Sequence, residues 1–247
     1  MFLKVLPCKK GVPVCANDRA VPNELFFFMY TTVFKWLKLR LLFMGFERAL
    51  LTKVNVASTQ LHPNSWAFVR AFAILCNYLG HPPFVDVFLY FFEAKKSGKK
   101  LWLSFNGLAG RPLLTLFQQS YKGFKKKFLK ICCGIHGLTL LDGFPLNWVE
   151  KPSLKMLSNL EELTPPDHEM CQLLSSLGVV FDTAKLIKLE FSAKALKSYI
   201  GIVLLSTLSL PTPLLALLLS TACLDPSLLL VVFVQTWPSM RTKRRSW

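Results

Sequence analysis

The side chains of this chain that are best suited to binding chemistry are five closely spaced lysines. They are Lys122, Lys125, Lys126, Lys127 and Lys130. Three aromatic residues are interleaved with them, namely Tyr121, Phe124 and Phe128. Because ammonium groups neutralise phosphates and aromatic rings stack on bases, this pattern predicts contact with RNA or DNA. The alternative is a solvated basic face over a strand whose aromatic side chains point inward.

The charge of the whole chain favours the same class of partner. There are 30 lysines and arginines against 14 aspartates and glutamates, which gives a net charge of +16. Residues 94–141 contain ten of these cations and no acidic residue. Such a balance favours anionic partners, either nucleic acid or an acidic membrane surface.

One segment has the form of a catalytic loop. Residues 178–184, GVVFDTA, resemble the hydrophobic–Asp–Thr–Gly loop of aspartic proteases. However, Ala184 replaces the glycine, no second loop follows, and Asp182 as a helix N-cap explains the same residues. The chain also lacks a phosphate-binding loop, a polymerase Asp-Asp pair and a nucleophile elbow. We therefore expect no enzymatic activity, no cofactor and no small-molecule substrate.

The cysteines and histidines do not have the spacing of a metal site. Cys132, Cys133 and His136 lack the spacing of a retroviral zinc knuckle and have no fourth ligand nearby, so we expect no metal. The seven cysteines are odd in number and form no CxxC motif. We interpret them as reduced, mostly buried thiols, which favours an intracellular location in the cytoplasm or nucleus.

Residues 61–92 are the stretch with the clearest structural pattern. His62-Pro63-Asn64-Ser65 predicts a helix start with Asn64 or Ser65 as the cap. Apolar residues then recur at helical spacing until Gly80, which suits the left-handed position after a helix. A second buried element, helix or strand, is predicted over residues 84–92.

The remaining elements are predicted from periodicity and turn residues. We expect a buried helix or helix pair over 25–51, and a short helix over 111–121. Strands are predicted over 101–105, with a turn at Asn106-Gly107, over 128–133 and over 144–149. Three further helices are predicted: one after Thr164, one from Asp182 or Thr183 to Phe191, and one after Ser192. The predicted fold class is α+β: a mostly helical domain with a small central antiparallel or mixed sheet and an apolar C-terminal tail.

Five segments, in order, resemble the plant gypsy-type transposon proteins, which are gag-region-like products of long-terminal-repeat retrotransposons. They are FFFMYTTVFKWLKLRLLFMGFERALL, LHPNSWAFVRAFAILCNYLG, VDVFLYFFEAKKSGKKLWLSFNG, LFQQSYKGFKKKF and FPLNWVEKP. The resemblance covers about Leu25 to Gly201. It implies a mobile-element origin, and it supplies no catalytic residues. On this interpretation the protein is non-enzymatic and works by self-association and by nucleic-acid contact through its basic central region.

The chain divides into three parts by composition. Residues 1–24 are predicted to be an irregular lead-in, residues 25–200 the transposon domain, and residues 201–247 an apolar and then basic tail. Residues 199–223 are long and apolar enough for a transmembrane helix. The second functional hypothesis is therefore a membrane-anchored protein of unknown role, with the membrane as its location. The alternative for this tail is an out-of-frame extension.

Overall fold

The computed structural model describes most of the chain. The described residues are 3–8, 14, 25–41, 43–97, 102–121, 123–133, 143–154 and 160–205. Within them the chain forms seven α-helices and two small antiparallel sheets, which confirms the predicted α+β class. From residue 206 on, the predicted apolar tail lies outside the described residues.

The bounds of these elements are as follows. The helices are α1 Thr31–Leu37, α2 Gly45–Val54, α3 Pro63–Tyr78, α4 Val85–Phe91, α5 Pro165–Ser176, α6 Thr183–Leu189 and α7 Ala193–Leu205. The strands are β1 Leu3–Pro7, β2 Leu25–Tyr30, β3 Phe92–Ser97, β4 Trp102–Gly107 and β5 Phe128–Cys133.

The larger sheet has β5 at its centre. Strands β1 and β2 pair with it on either side, both antiparallel, so that Lys130 lies opposite Leu6 and Phe28. The predicted strand over 128–133 is therefore confirmed. Strands β3 and β4 form a separate antiparallel hairpin. Apolar Leu103 and Phe105 are buried on one face of β4, as their alternation in the sequence predicts.

Helix α3 is the central helix of the core. Nearly all of its residues are buried, including Trp66 and Phe72, which are fully inaccessible. It ends before Gly80, whose φ of +78° matches the prediction. Its cap was predicted wrongly, because the N-cap is His62. Pro63 suits the first helical position, so the cap is the residue before it, and the His62 Nδ1 accepts from the Asn64 amide at 3.2 Å.

The second predicted buried element is a helix that passes directly into a strand. Helix α4 ends at Phe91 and β3 begins at Phe92. The Phe88 ring is fully buried. Its centre lies 4.6 Å from the ring centre of Phe92, 5.3 Å from that of Phe72 and 5.0 Å from that of Phe105. Aromatic packing thus joins α3, α4 and the hairpin into one core.

Two predictions for the first 51 residues need correction. Leu25–Tyr30 is a strand rather than the start of a helix, because its backbone pairs with β5; the helices α1 and α2 follow it. The expected irregular lead-in over residues 1–24 contains a strand at Leu3–Pro7, which also pairs with β5. A local sequence pattern does not reveal a partner about 100 residues away.

Three further predictions are wrong for a similar reason. Residues 111–121 form no helix: the amide of Phe181 donates to Leu113 at 2.9 Å, and that of Thr115 donates to Phe181 at 2.8 Å. Residues 144–149 form no strand. Asn106 and Gly107 end β4 instead of making the turn. Leu113, Thr115 and Val149 pair instead with distant segments, and Asn106-Gly107 pairs with β3, so these contacts override local preference.

The helices of the C-terminal half follow their predicted caps. Thr164 is the N-cap of α5 and two prolines follow it. Asp182 is the N-cap of α6, and its Oδ1 accepts from the Lys185 amide at 2.8 Å. The helix predicted after Ser192 is longer than expected, because α7 runs from Ala193 to Leu205.

A buried polar turn, residues 58–61, connects these parts. The Ser58 hydroxyl donates to the Phe28 carbonyl at 2.6 Å, and the Leu103 amide donates to the Gln60 carbonyl at 2.9 Å. The Gln60 side chain makes two hydrogen bonds with the backbone of Val149, at 2.6 and 2.9 Å. Because the turn is almost inaccessible to water, each of these polar groups depends on its protein partner.

Substitution Gln60→Ala is expected to destabilise the fold strongly. It leaves the amide and carbonyl of Val149 without the side chain that pairs with both of them. Because Val149 is half-buried, each of the two lost hydrogen bonds costs about 0.5–1.5 kcal/mol, so we expect the free energy of unfolding to fall by about 1–3 kcal/mol in urea denaturation. Gln118→Ala, at an exposed position, should change it by less than about 0.5 kcal/mol. Equal effects of the two substitutions would contradict the role of the turn.

Candidate nucleic-acid interface

Three of the predicted lysines lie on one short turn. Phe124–Lys126 forms a single 3-10 turn, and Lys127 follows it directly before β5. Gly123 precedes the turn with φ +72°, a conformation that side-chain-bearing residues seldom adopt. The Lys127 carbonyl accepts two hydrogen bonds from Thr31, from the amide at 3.0 Å and from the hydroxyl at 3.1 Å. These bonds fasten the lysine turn to the start of α1.

The side chains of the turn differ from Lys130 in exposure. Lys125, Lys126 and Lys127 are exposed, whereas Lys130 is half-buried on the central strand. The Lys130 Nζ lies 3.9 Å from the centre of the Phe26 ring, on the neighbouring strand β2. Lys122 lies outside the described residues. The structure therefore places Lys125–Lys127 on one exposed turn and Lys130 on the strand that follows it. We call residues 125–127 the lysine turn.

The interleaved aromatic residues Phe124 and Phe128 pack against other aromatic rings of the protein. Phe128 is buried and packs edge-to-face on Phe28, with ring centres 5.3 Å apart. Phe124 is half-buried, and its ring centre lies 5.0 Å from that of Tyr30 and 5.4 Å from that of His62. The inward-facing alternative describes the buried Phe128, whereas base stacking by the half-buried Phe124 stays a prediction.

An aromatic residue that the sequence prediction left out lies beside the turn. The Lys125 Nζ is 3.8 Å from the centre of the Trp102 ring, a cation–π contact. Trp102 is half-buried, and its ring lies 5.9 Å from that of Trp148. The alternation of Trp102 with the buried residues of β4 could have indicated that its side chain points outward. No local pattern in the sequence, however, connects Trp102 with Lys125.

His62 lies next to the lysine turn and is sensitive to its charge. Burial lowers the pKa of the His62 imidazole below its usual 6.5, and the nearby Lys125 ammonium lowers it further. The neutral ring is therefore favoured, and its Nδ1 can accept the hydrogen bond that caps α3. A bound phosphate that offsets the charge of Lys125 would reduce the part of the lowering of the His62 pKa that Lys125 causes.

The other candidate sites do not assemble within the described residues. Asp182 is engaged as the N-cap of α6, as the alternative to a protease loop predicts, and its own amide donates to the Tyr199 hydroxyl at 2.8 Å. In the described part of the chain no three of His, Cys, Asp and Glu come close enough to hold a metal ion. His136 lies outside that part.

Four of the cysteine side chains that the structure describes are thiols outside any disulfide. Cys76, Cys132 and Cys171 are buried, as expected, and Cys8 is half-buried. Burial raises the pKa of Cys8 to about 11 and that of Cys171 to about 12, so both remain protonated at neutral pH.

The structure describes only part of the segment, residues 199–223, that was predicted as a transmembrane helix. Residues 199–205 belong to α7, and residues 206–223 lie outside the described part. Over the described ranges, no helix has both the length and the apolar character needed to cross a membrane.

Comparison with known proteins identifies one related family. Residues 31–96 match the sequence model of the family described as "Putative gypsy type transposon". They span α1 to α4 and nearly all of β3, whereas the lysine turn lies outside the match. The predicted relationship is thus confirmed over this segment, while plant origin and the remainder of Leu25–Gly201 stay predictions. Neither the curated proteins nor the solved structures contain a match to the chain.

Substitution Lys125→Met should raise the pKa of His62. It removes the cation that opposes protonation of the ring, while burial remains. Proton NMR titration of the imidazole measures the change. Lys126→Met is the control, since that neighbouring side chain is not a cause of the lowered pKa. An equal shift in both variants would refute a specific interaction between Lys125 and His62.

The same lowered pKa predicts how stability depends on pH. Because the folded pKa lies below the unfolded value, the unfolded chain binds the proton more readily, so stability is lost as the pH falls below about 6.5. His62→Asn keeps a capping side chain but does not titrate. Urea denaturation between pH 7.5 and 5.5 should therefore show a smaller loss in this variant than in the wild type. Identical pH profiles would exclude the linkage.

Proposed function

We propose that this chain, which is related to gypsy-type transposon proteins through residues 31–96, is a non-enzymatic, gag-like binding protein that contacts RNA or DNA through the lysine turn. Lys130 and Lys122 complete the predicted contact region. The observation that carries the proposal is the exposure of three consecutive lysines on a turn that two hydrogen bonds from Thr31 fasten to α1.

The electrostatics of this region support an anionic partner. No acidic residue occurs between residues 94 and 141, so the charge of the turn has no counter-charge nearby in sequence. Among the described residues, none of Lys125, Lys126 and Lys127 takes part in an ion pair. Binding of a phosphate chain would release condensed counterions, which is the main source of affinity for lysine-rich surfaces.

The geometry supports binding by a preformed surface. The backbone of the turn is fixed at Gly123 and at Lys127, and the Lys125 side chain is held over Trp102. Less side-chain freedom is then lost when phosphates bind. Self-association, which packaging of nucleic acid requires, is the second part of the proposal and rests on the family relationship.

The triple substitution Lys125→Gln, Lys126→Gln and Lys127→Gln tests the proposal. Each neutralised lysine should lower the dependence of the logarithm of affinity on the logarithm of salt concentration by about 0.7 for single strands, so by about 2 in total. Fluorescence anisotropy with a labelled 12-nucleotide oligothymidine between 50 and 200 mM salt measures this slope. Affinity at 50 mM salt should fall as well.

A second triple variant separates the site from net charge. Lys53→Gln, Lys151→Gln and Lys194→Gln remove the same charge from exposed positions outside the lysine turn. This control should retain most of the slope. Salt-insensitive binding by the wild type, no binding at low salt, or equal losses in both triple variants would each refute the proposal.

A further inference from the structure

A pocket of about 600 Å³ lies between α1, α6 and the chain before the lysine turn. Of the residues that we predicted to bind, Tyr121 lines it, whereas none of the predicted lysines that the structure describes does. It is formed by parts of the chain that are distant in sequence: the end of α1, residues 117–121, and α6 together with Phe191, two residues after its end. Its lining combines aromatic rings with lysines, and no acidic residue occurs among the described residues that line it.

Two of the aromatic residues that line the pocket are unusually accessible. Trp36 is 56% exposed and Phe191 is 73% exposed, although both are large apolar side chains. Neither belongs to the hydrophobic core. Tyr121 is half-buried, and its hydroxyl is inaccessible to water and has no hydrogen-bond partner among the described residues. Exposed aromatic surface that does not stabilise the fold is a common feature of binding sites.

Three lysines, Lys35, Lys38 and Lys188, surround these rings. None of them forms an ion pair with another described residue. Lys38 has φ +53°, in the left-handed region that disfavours a side chain and suits glycine at the end of a helix. A lysine at this position costs backbone strain, and strained residues are concentrated at functional sites.

We propose that this pocket binds an unpaired nucleotide of a single-stranded nucleic acid, with its base on Trp36 and Phe191 and its phosphates at Lys35, Lys38 and Lys188. Aromatic platforms flanked by cations have this function in proteins that bind single strands without sequence preference. The inference deepens the proposed function and rests on nucleic acid being the partner, but it assigns the base contact to residues outside the lysine turn.

The positions of the two basic surfaces agree with one bound strand. Helix α1 begins at Thr31, which holds Lys127, and carries Lys35, Trp36 and Lys38 at its other end. Seven helical residues span about 10 Å, so the lysine turn and the pocket lie at opposite ends of one short helix. A strand that crosses α1 could use both.

Charge argues against the other occupants of such a pocket. A second copy of this chain would carry the same net charge of +16 and would be repelled by three unpaired lysines. The apolar tail of the same chain ends in a basic cluster at residues 241–245 and faces the same repulsion. A duplex keeps its bases stacked inside and presents none to the aromatic rings.

The test compares three labelled probes of equal length: 12-nucleotide oligothymidine, a 12-unit abasic strand, and a 12-base-pair duplex. The full chain is expected to bind oligothymidine on the order of 10-fold more tightly than the abasic strand, because stacking contributes only with the first probe. Trp36→Ala or Phe191→Ala should abolish this preference and leave both the salt slope and the binding of the abasic strand unchanged.

Two controls distinguish a lost contact from a damaged fold. Ile202→Ala removes a comparably exposed apolar side chain, 52% accessible, that does not line the pocket, and should bind like the wild type. Lys38→Gly removes a cation and also relieves the strained backbone, so we expect weaker binding with an unchanged or higher unfolding temperature. Asn55→Gly, at the other left-handed non-glycine position described, with φ +52°, should not weaken binding.

The outcomes separate this inference from the proposed function. If the pocket variants bind oligothymidine like the wild type while the lysine-turn variant is impaired, the pocket assignment is wrong and the proposed function stands. If the reverse holds, the pocket is the site and the lysine turn is not. Equal affinity for the abasic strand, or a preference for polyglutamate of equal charge, would also overturn the assignment of a base to this pocket.

Discussion

The hydrogen bonds of the buried polar turn, residues 58–61, are the constraint on which the rest of the structure depends. Ser58 is bonded to β2, the Gln60 backbone to β4, and the Gln60 side chain to Val149. Ser58, Gln60, Phe28 and Leu103 are buried, so their polar groups cannot exchange a lost partner for solvent, whereas Val149 is half-buried. Helix α3 starts immediately afterwards, and the Trp66 indole donates back to the Ser58 carbonyl at 3.1 Å. Strand, hairpin and central helix are thus held at one point.

The geometry of the candidate interface depends on the buried polar turn. His62 follows the turn and contacts Phe124, which begins the 3-10 turn. Trp102 begins the strand whose Leu103 amide is bonded to Gln60, and it supports the Lys125 side chain. The surface lysines are therefore presented by rigid elements rather than by a free loop, which is the arrangement that preserves a binding geometry.

Part of the acidic charge is placed inside the protein. Glu47 is 2% exposed, and its carboxylate accepts from the Met44 amide at 2.7 Å. Buried Arg70 forms an ion pair with Glu190. Burial raises the pKa of both carboxyl groups, and the Arg70 charge opposes this rise. Both acids serve the packing of α2, α3 and the chain after α6, and neither pairs with a lysine among the described residues.

Local signals in the sequence determined those helices and strands whose ends are set by residues of the same segment. Pro63 and Gly80 delimit α3, Asp182 caps α6, and the β5 strand and the basic run were evident from residue type and spacing. Only the tertiary structure decided what depends on distant partners. It paired β2 with β5, kept residues 111–121 extended against Phe181, and set Lys125 on Trp102. It also assembled the pocket from Trp36, Tyr121 and Phe191. The physical reason is that caps and periodicity act over a few residues, whereas pairing and packing join groups up to about 150 residues apart.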